Sequence, residues 1–252
     1  MLPAYEVVGD GPPLVLLPGT FSDRRVWRRV LGSLQRRHRC LLYDPRGTGQ
    51  TLDPGTAFGV DDLADDVLRL MDEVGWTRAD LIGHSLGSAI AVTIAGRHPA
   101  RVRRLVAISP ALGVDAHLAV VLDHWEAVAR SDLDDTALAR ALVLDAFGRA
   151  AFDRIVPAVI HDWVRHPIAR ETILRFVACD RAQDAGAMAR RVDAPTLIVA
   201  GAEDALAGTV NAERLASLIP GARLEVIQGS GHTPQVERPA AVVRLLAPFL
   251  EA

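Results

Sequence analysis

The stretch Ala79-Asp80-Leu81-Ile82-Gly83-His84-Ser85-Leu86-Gly87, running into a helical segment that ends near Arg97, decides how the chain is read. A strand that feeds a helix through one sharp turn forces the central residue into a strained backbone conformation. Both flanking positions must then be small for the turn to pack, and Gly83 and Gly87 meet that need. The turn lifts the Ser85 hydroxyl above the carboxyl ends of the strands, beside a helix N-terminus, where the Leu86 amide can donate to a developing oxyanion. Gly-x-Ser-x-Gly alone is weak evidence, since at average composition about one chain in fifteen of this length carries it by chance. The strand and helix on either side give it weight.

Serine is nearly inert at neutral pH, so a nucleophilic Ser85 needs a base within reach and a carboxylate to fix that base's tautomer. Leu224-Glu225-Val226-Ile227-Gln228-Gly229-Ser230-Gly231-His232-Thr233-Pro234 supplies His232, in a glycine-rich loop between a strand and a helix. Leu197-Ile198-Val199-Ala200-Gly201-Ala202-Glu203-Asp204 supplies the acid, and its spacing from Gly201 favours Asp204 over Glu203. The chain order Ser, Asp, His fits groups carried on successive strand ends of one sheet. His84 is read as packing beside the nucleophile, because adjacent residues on a sharp turn point apart. His117 and His124 lack the i, i+4 spacing and fixed carboxylate of a metal site.

Outward from these loops, strand-length apolar runs recur at 14–17, 39–43, 80–82, 105–108, 196–200 and 224–227. Several are nearly continuous, as in strands covered on both faces. Helical patterns at 61–74, 86–97, 211–218 and 240–250 lie between them. The fold class is therefore α/β, a mostly parallel central sheet with helices on both faces. After Ser109-Pro110 the alternation stops. From about Asp115 to Arg191 successive helices are expected, starting at Asp115, Asp134 and Asp184 and broken at His166-Pro167. This predicts a core of residues 1–110 and 194–252 with a helical cap, 111–193, inserted in it.

Two further motifs extend the pattern: Leu16-Leu17-Pro18-Gly19-Thr20-Phe21 followed by Trp27, and Tyr43-Asp44-Pro45-Arg46-Gly47-Thr48-Gly49-Gln50-Thr51. With the three loops above, over nearly the whole length, the chain resembles the α/β-hydrolases, in the subgroup of small serine esterases, lactonases and cofactor-free haloperoxidases. The first motif is similar to that family's oxyanion loop and the second to its Asp-x-Arg-Gly-x-Gly-x-Ser turn. The resemblance implies that the Thr20 amide is the second oxyanion donor beside Leu86. Pro18 stands where the family usually has His, which leaves Phe21 as the alternative. It also implies no cofactor and no metal.

Composition narrows the chemistry further. All 28 basic residues are arginine, against 31 acidic ones, so Schiff-base and pyridoxal-phosphate chemistry and the lysine-dependent phosphate loop are excluded. A G/C-rich genome accounts for the missing lysine. Any substrate anion would have to be held by arginine, a helix N-terminus or neutral donors. The cluster Arg24, Arg25, Arg28, Arg29, Arg36, Arg37 and Arg39 reads as the solvated face of an amphipathic helix, not a nucleic-acid patch. Cys40 and Cys179 have no paired spacing. No signal-peptide pattern opens the chain, and its longest uncharged stretch, Leu81 to Gly96, is too short to cross a bilayer.

The expectation is a cytoplasmic serine hydrolase that cleaves a carboxylic ester or lactone of a small, largely apolar substrate through an acyl-enzyme. The same residues could run C–C bond hydrolysis, perhydrolysis or a lyase or cyclase step, and a ligand-binding protein without turnover is the alternative of a different class. Nucleic acid and membrane are not expected partners, and oligomeric state stays open. Of the insertion aromatics Trp125, Phe147, Phe152, Trp163 and Phe176, one or two are expected to face Ser85.

Overall fold

The computed structural model describes residues 2–251. Its strands are β1 (Tyr5–Val8), β2 (Pro13–Leu17), β3 (Arg39–Tyr43), β4 (Ala79–His84), β5 (Val102–Ile108), β6 (Thr196–Gly201) and β7 (Arg223–Ile227). They form one sheet in the order β1-β3-β2-β4-β5-β6-β7, antiparallel at the β1–β3 edge and parallel elsewhere. The α/β class and the mostly parallel sheet are as the periodicity predicts. The half-buried edge strand β1 was not anticipated, because exposed Glu6 interrupts it and leaves no continuous apolar run.

Strand alternation divides the core into two layers. Leu14, Leu16, Leu42, Ile82, Val106, Ile108 and Val199 face helices α1 (Arg28–Leu34) and α11 (Pro239–Glu251) through Val30, Leu34, Val242, Leu246 and Leu250. Val15, Leu17, Leu41, Leu81, Leu105, Ala107 and Ile198 face the opposite way. There they meet α2 (Val60–Glu73), α3 (Leu86–Arg97) and α9 (Gly208–Leu218) through Leu63, Val67, Leu70, Ile90, Ile94 and Leu215. Every residue of α3 from Leu86 to Ala95 is buried, so this helix is apolar all round rather than amphipathic. Asp80 in β4, with no exposed surface, is paired with Arg103 on β5 and is the most deeply placed acid of the sheet.

Between β5 and β6 the chain forms α4 (Ala116–Arg130), α5 (Asp135–Val143), α6 (Val156–Arg165), α7 (Arg170–Ala182) and α8 (Ala185–Ala189), with no strand among them. Asp115 and Asp134 cap α4 and α5 by accepting from Leu118 N and Ala137 N, each at 2.8 Å. The chain breaks at His166, as the proline after it requires. Leu122, Trp125, Leu138, Ile173 and Val177 build a core of their own for α4, α5 and α7. Helix α8 behaves differently: its Ala185 and Ala189 join the sheet layer beneath α3.

The arginine-rich segment keeps the expected solvated face at Arg28, Arg29, Arg36, Arg37 and Arg39 but not at its start. It starts with a 3-10 turn, Arg24–Trp27, before α1, and its first two arginines turn inward. Arg24 donates to both oxygens of buried Asp44, and Arg25 binds Asp23 and Asp162. Their partners lie far away in sequence or in the preceding turn, where periodicity carries no information about them. No helix of the described residues is long and apolar enough to cross a membrane.

Candidate active site

Ser85 lies between β4 and α3 with φ 53° and ψ −121°. For a residue with a side chain this conformation costs of the order of 1–3 kcal/mol, so the surroundings must impose it. They do so by close approach. A Cβ added to Gly87 would sit 2.1 Å from the Leu17 carbonyl oxygen, and one added to Gly83 would sit 2.2 Å from that of Gly87. Ser85 N–H donates to the Ile108 carbonyl at 2.9 Å, and the Ser88 hydroxyl donates to the Gly83 carbonyl at 2.8 Å. The elbow is thereby tied to both neighbouring strands, while Ser85 itself remains partly exposed. The Leu86 amide opens α3, where the first-turn N–H groups have no intrahelical acceptor.

The loop after β2 lies directly on Ser85, since a Cβ on Gly19 would come within 2.9 Å of both Ser85 Cβ and His84 Nδ1. Ser22 N–H donates to the Gly19 carbonyl at 3.1 Å, which makes Thr20 and Phe21 the two central residues of a turn. Phe21 has φ 57°, the left-handed value that the second central position of a type II turn requires. Helix α7 holds this strained turn from the side. Thr20 Oγ1 donates to Asp180 Oδ2 at 2.7 Å, and one helical turn earlier Phe176 meets the Phe21 ring edge-on at 6.0 Å. Burial pushes the Asp180 carboxyl up to about 7, against the opposing pull of the Thr20 hydroxyl and of His232.

His232 lies in the loop after β7, which runs into α10 (Pro234–Glu237), a short helix the sequence pattern did not suggest. Its Nδ1–H donates to Asp204 at 2.9 Å (Oδ2) and 3.1 Å (Oδ1); a carboxylate only accepts, which assigns the tautomer. Asp204 Oδ1 also accepts from Leu206 N at 3.0 Å and Ala207 N at 2.9 Å, fixing the carboxylate's orientation. Burial works against its charge, but the His232 ring and these donors prevail and hold its pKa down, at about 2. Glu203 points elsewhere and accepts from the Arg149 amide.

Glu237 escaped the sequence reading. Its carboxylate accepts from the amides on both sides of His232, Gly231 N at 3.0 Å and Thr233 N at 3.2 Å, and from Gly148 N of the inserted helices at 2.9 Å. An acid five residues after the histidine was the available signal. His84 packs beside the site as expected. Its Nε2–H donates to the His232 carbonyl at 2.9 Å, and burial, followed by repulsion from His232, lowers its pKa to about 3, so it is neutral at pH 7.

Ser85, His232, Thr20 and Phe21 all line one cavity of about 520 Å³. Among the described residues His232 Nε2 has no hydrogen-bond partner, Ser85 included. Such contacts commonly tighten only when substrate binds. Three insertion aromatics line the cavity, Trp125, Phe147 and Trp163, rather than one or two. Phe176 is fully buried between Phe21 and Phe58, and Phe152 packs with Phe147 in a small outer cluster. Both cysteines are buried free thiols, and burial raises their pKa, that of Cys40 to about 12, which makes them poor nucleophiles at neutral pH. Among the described residues no group of three or more His, Cys, Asp or Glu side chains is placed to hold a metal ion.

Comparison with known proteins agrees with this architecture. RutD of Variovorax paradoxus (strain S110), a chain named for carbamate hydrolysis, is 31% identical over 98% of this chain and 95% of its own. The pyrrolizixenacetamide deacetylase of Xenorhabdus hominickii is 29% identical over 98% and 94%. Among solved structures, the enol-lactonase from Burkholderia xenovorans LB400 superposes with a TM-score of 0.91 at 27% identity, covering 99% of this chain and 96% of that one. The family described as the alpha/beta hydrolase fold matches residues 12–152, more than half of the chain. With the sheet order, the elbow at Ser85 and this match, the chain belongs to the alpha/beta hydrolase fold family.

Proposed function

We propose that the protein is a serine hydrolase of carboxylic esters or lactones. The observation that carries this reading is the meeting, in one largely apolar cavity, of a strained, accessible Ser85 and a His232 whose Nδ1 is bound to Asp204 while Nε2 is free. In this mechanism His232 Nε2 takes the Ser85 proton as Oγ attacks the carbonyl, and Asp204 supports the imidazolium that forms. The amides of Leu86 and Thr20 receive the oxyanion, and His232 returns the proton to the leaving alkoxide. Water then attacks the acyl-Ser85 ester by the same route and releases the acid. Phe21, Trp125 and Trp163 supply the apolar wall that favours a small, largely apolar acyl or alcohol group. Residues 111–193 serve as the cap that shapes this wall, and the assigned steps draw on no cofactor.

The names of the enol-lactonase and the deacetylase describe acyl-group hydrolysis in those proteins and support the same reaction class here. Hydrolysis of p-nitrophenyl butyrate and labelling by a fluorophosphonate test the reading. The wild type should be labelled at Ser85, and Ser85→Ala should lose label and roughly 10⁴-fold or more in kcat. Near-wild-type turnover by Ser85→Ala, or an unlabelled folded wild type, overturns the mechanism.

A further inference from the structure

The wall of the Ser85 cavity carries more guanidinium than carboxylate. Arg25, Arg28, Arg29 and Arg154 contribute to it, against Asp23 and Asp162. Both acids are committed to Arg25. Asp23 takes its Nε at 2.9 Å and Nη2 at 2.7 Å, and Asp162 lies 2.9 Å from Nη1 and only then, at 3.8 Å, from Arg28. Arg29 turns Nη1 to a neutral acceptor, the Val236 carbonyl at 2.6 Å, and among the described residues neither Arg29 nor Arg154 has an acidic partner. The fixed charges therefore leave an excess of two positive, in a chain whose formal net charge is −3.

The charge is segregated. Arg28, Arg29 and Arg154 are exposed and form the water-facing part of the wall, whereas Trp125 and Phe147 are buried at its inner part. A cleft lined by one sign of charge concentrates the opposite ion, and a planar guanidinium fork matches a carboxylate. On the serine-hydrolase reading, we infer that the substrate is an ester or lactone that also carries a carboxylate, separated from the scissile carbonyl by an apolar stretch. Arg29 and Arg154, with Arg28 beside them, receive that carboxylate while the apolar stretch lies along Trp125 and Phe147.

The experiment compares p-nitrophenyl hydrogen suberate with its methyl ester, two probes that differ by one negative charge at the far end. Two unit charges roughly 7 Å from the anion in water-like screening give a preference of about tenfold in kcat/KM at low ionic strength. The anionic probe should lead by that factor. The lead should shrink toward unity in 0.5 M salt, where the screening length falls to roughly 4 Å, and in the double variant Arg29→Gln/Arg154→Gln, read as the ratio of the two probes within each protein. Equal rates for the two probes, or a preference untouched by the double variant, overturn the inference. Quenching of tryptophan fluorescence by octanoate against octanamide reads the same subsite without turnover: tighter octanoate binding that the double variant abolishes supports it, and equal binding overturns it. Failure of both esters together with absent fluorophosphonate labelling counts instead against the serine-hydrolase reading.

Discussion

Replacing Asp180 with Asn should change how stability depends on pH, by an amount that follows from the site. Asp180 is 5% exposed, and burial lifts the pKa of its carboxyl from 3.8 to about 7. Raised in the folded state, this acid contributes most favourably when protonated. Below about pH 4 it is protonated in both folded and unfolded chains. As pH rises it ionises first in the unfolded chain, and stability falls until the folded group also ionises near pH 7. The whole loss is about 4 kcal/mol, of which roughly 2–3 kcal/mol falls between pH 5 and pH 8. Asn cannot ionise, and its carbonyl can still accept from the Thr20 hydroxyl. Urea unfolding of wild type and Asp180→Asn at pH 5 and pH 8, at one ionic strength, isolates the term, because all other titrations are common to both proteins. The difference in unfolding free energy, variant minus wild type, should grow by those roughly 2–3 kcal/mol on going to pH 8, with unchanged m-values. Parallel pH profiles, within about 0.5 kcal/mol, would refute the assignment of Asp180 as a buried titrating acid.

Three further perturbations test other parts of the molecule. Asp204→Asn should leave the fold intact and lower kcat for p-nitrophenyl butyrate by about 10⁴-fold, since an amide at that place favours the wrong His232 tautomer; a loss under tenfold counts against the role. Gly87→Ala should destabilise by about 1–3 kcal/mol in thermal or urea unfolding and also disturb fluorophosphonate labelling, because the added methyl meets the Leu17 carbonyl behind the nucleophile. Arg103→Ala should cost about 1–3 kcal/mol by leaving buried Asp80 with Arg104, 4.0 Å away, as its remaining cation, whereas Arg97→Ala, whose partner Asp61 is exposed, should cost less than about 1 kcal/mol. Equal losses would show that the burial of Asp80 does not matter.

Features encoded by neighbours in sequence were legible before any coordinates. The elbow needs Gly83 and Gly87 at fixed offsets from Ser85, and the strands of the parallel sheet announce themselves as short apolar runs. His232 and Asp204 each follow such a run, and the structure brings them to 2.9 Å of each other. Features set by partners distant in sequence were not legible. Asp180 next to Cys179 looks like any polar helical residue until α7 is laid across the Thr20 turn, 160 positions away. Arg24 and Arg25 belonged to a seemingly solvated stripe until Asp44 and Asp162 were placed. Likewise Trp125 and Trp163 reach the cavity because α4 and α6 converge over Phe21, a packing outcome that composition cannot specify.

The way the inserted helices are attached bears on how such proteins can be recombined. Adjacent β5 and β6 are parallel, so the chain leaves the Ser85 end of the sheet at Ser109 and must travel back past its full depth before Thr196. Helix α8 makes that return while lodged beneath α3. An exchange cassette cut at Ser109 and Gln183 would carry α4 to α7 and, of that sheet layer, only Leu112, Phe176 and Cys179. One cut at Ala194 would also export Ala185, Ala189 and Val192, three side chains the donor's helices do not use but the recipient's sheet does. Chimeras with the earlier downstream joint should therefore express as folded protein more often than those with the later one, so that new substrate ranges could be acquired without rebuilding the scaffold.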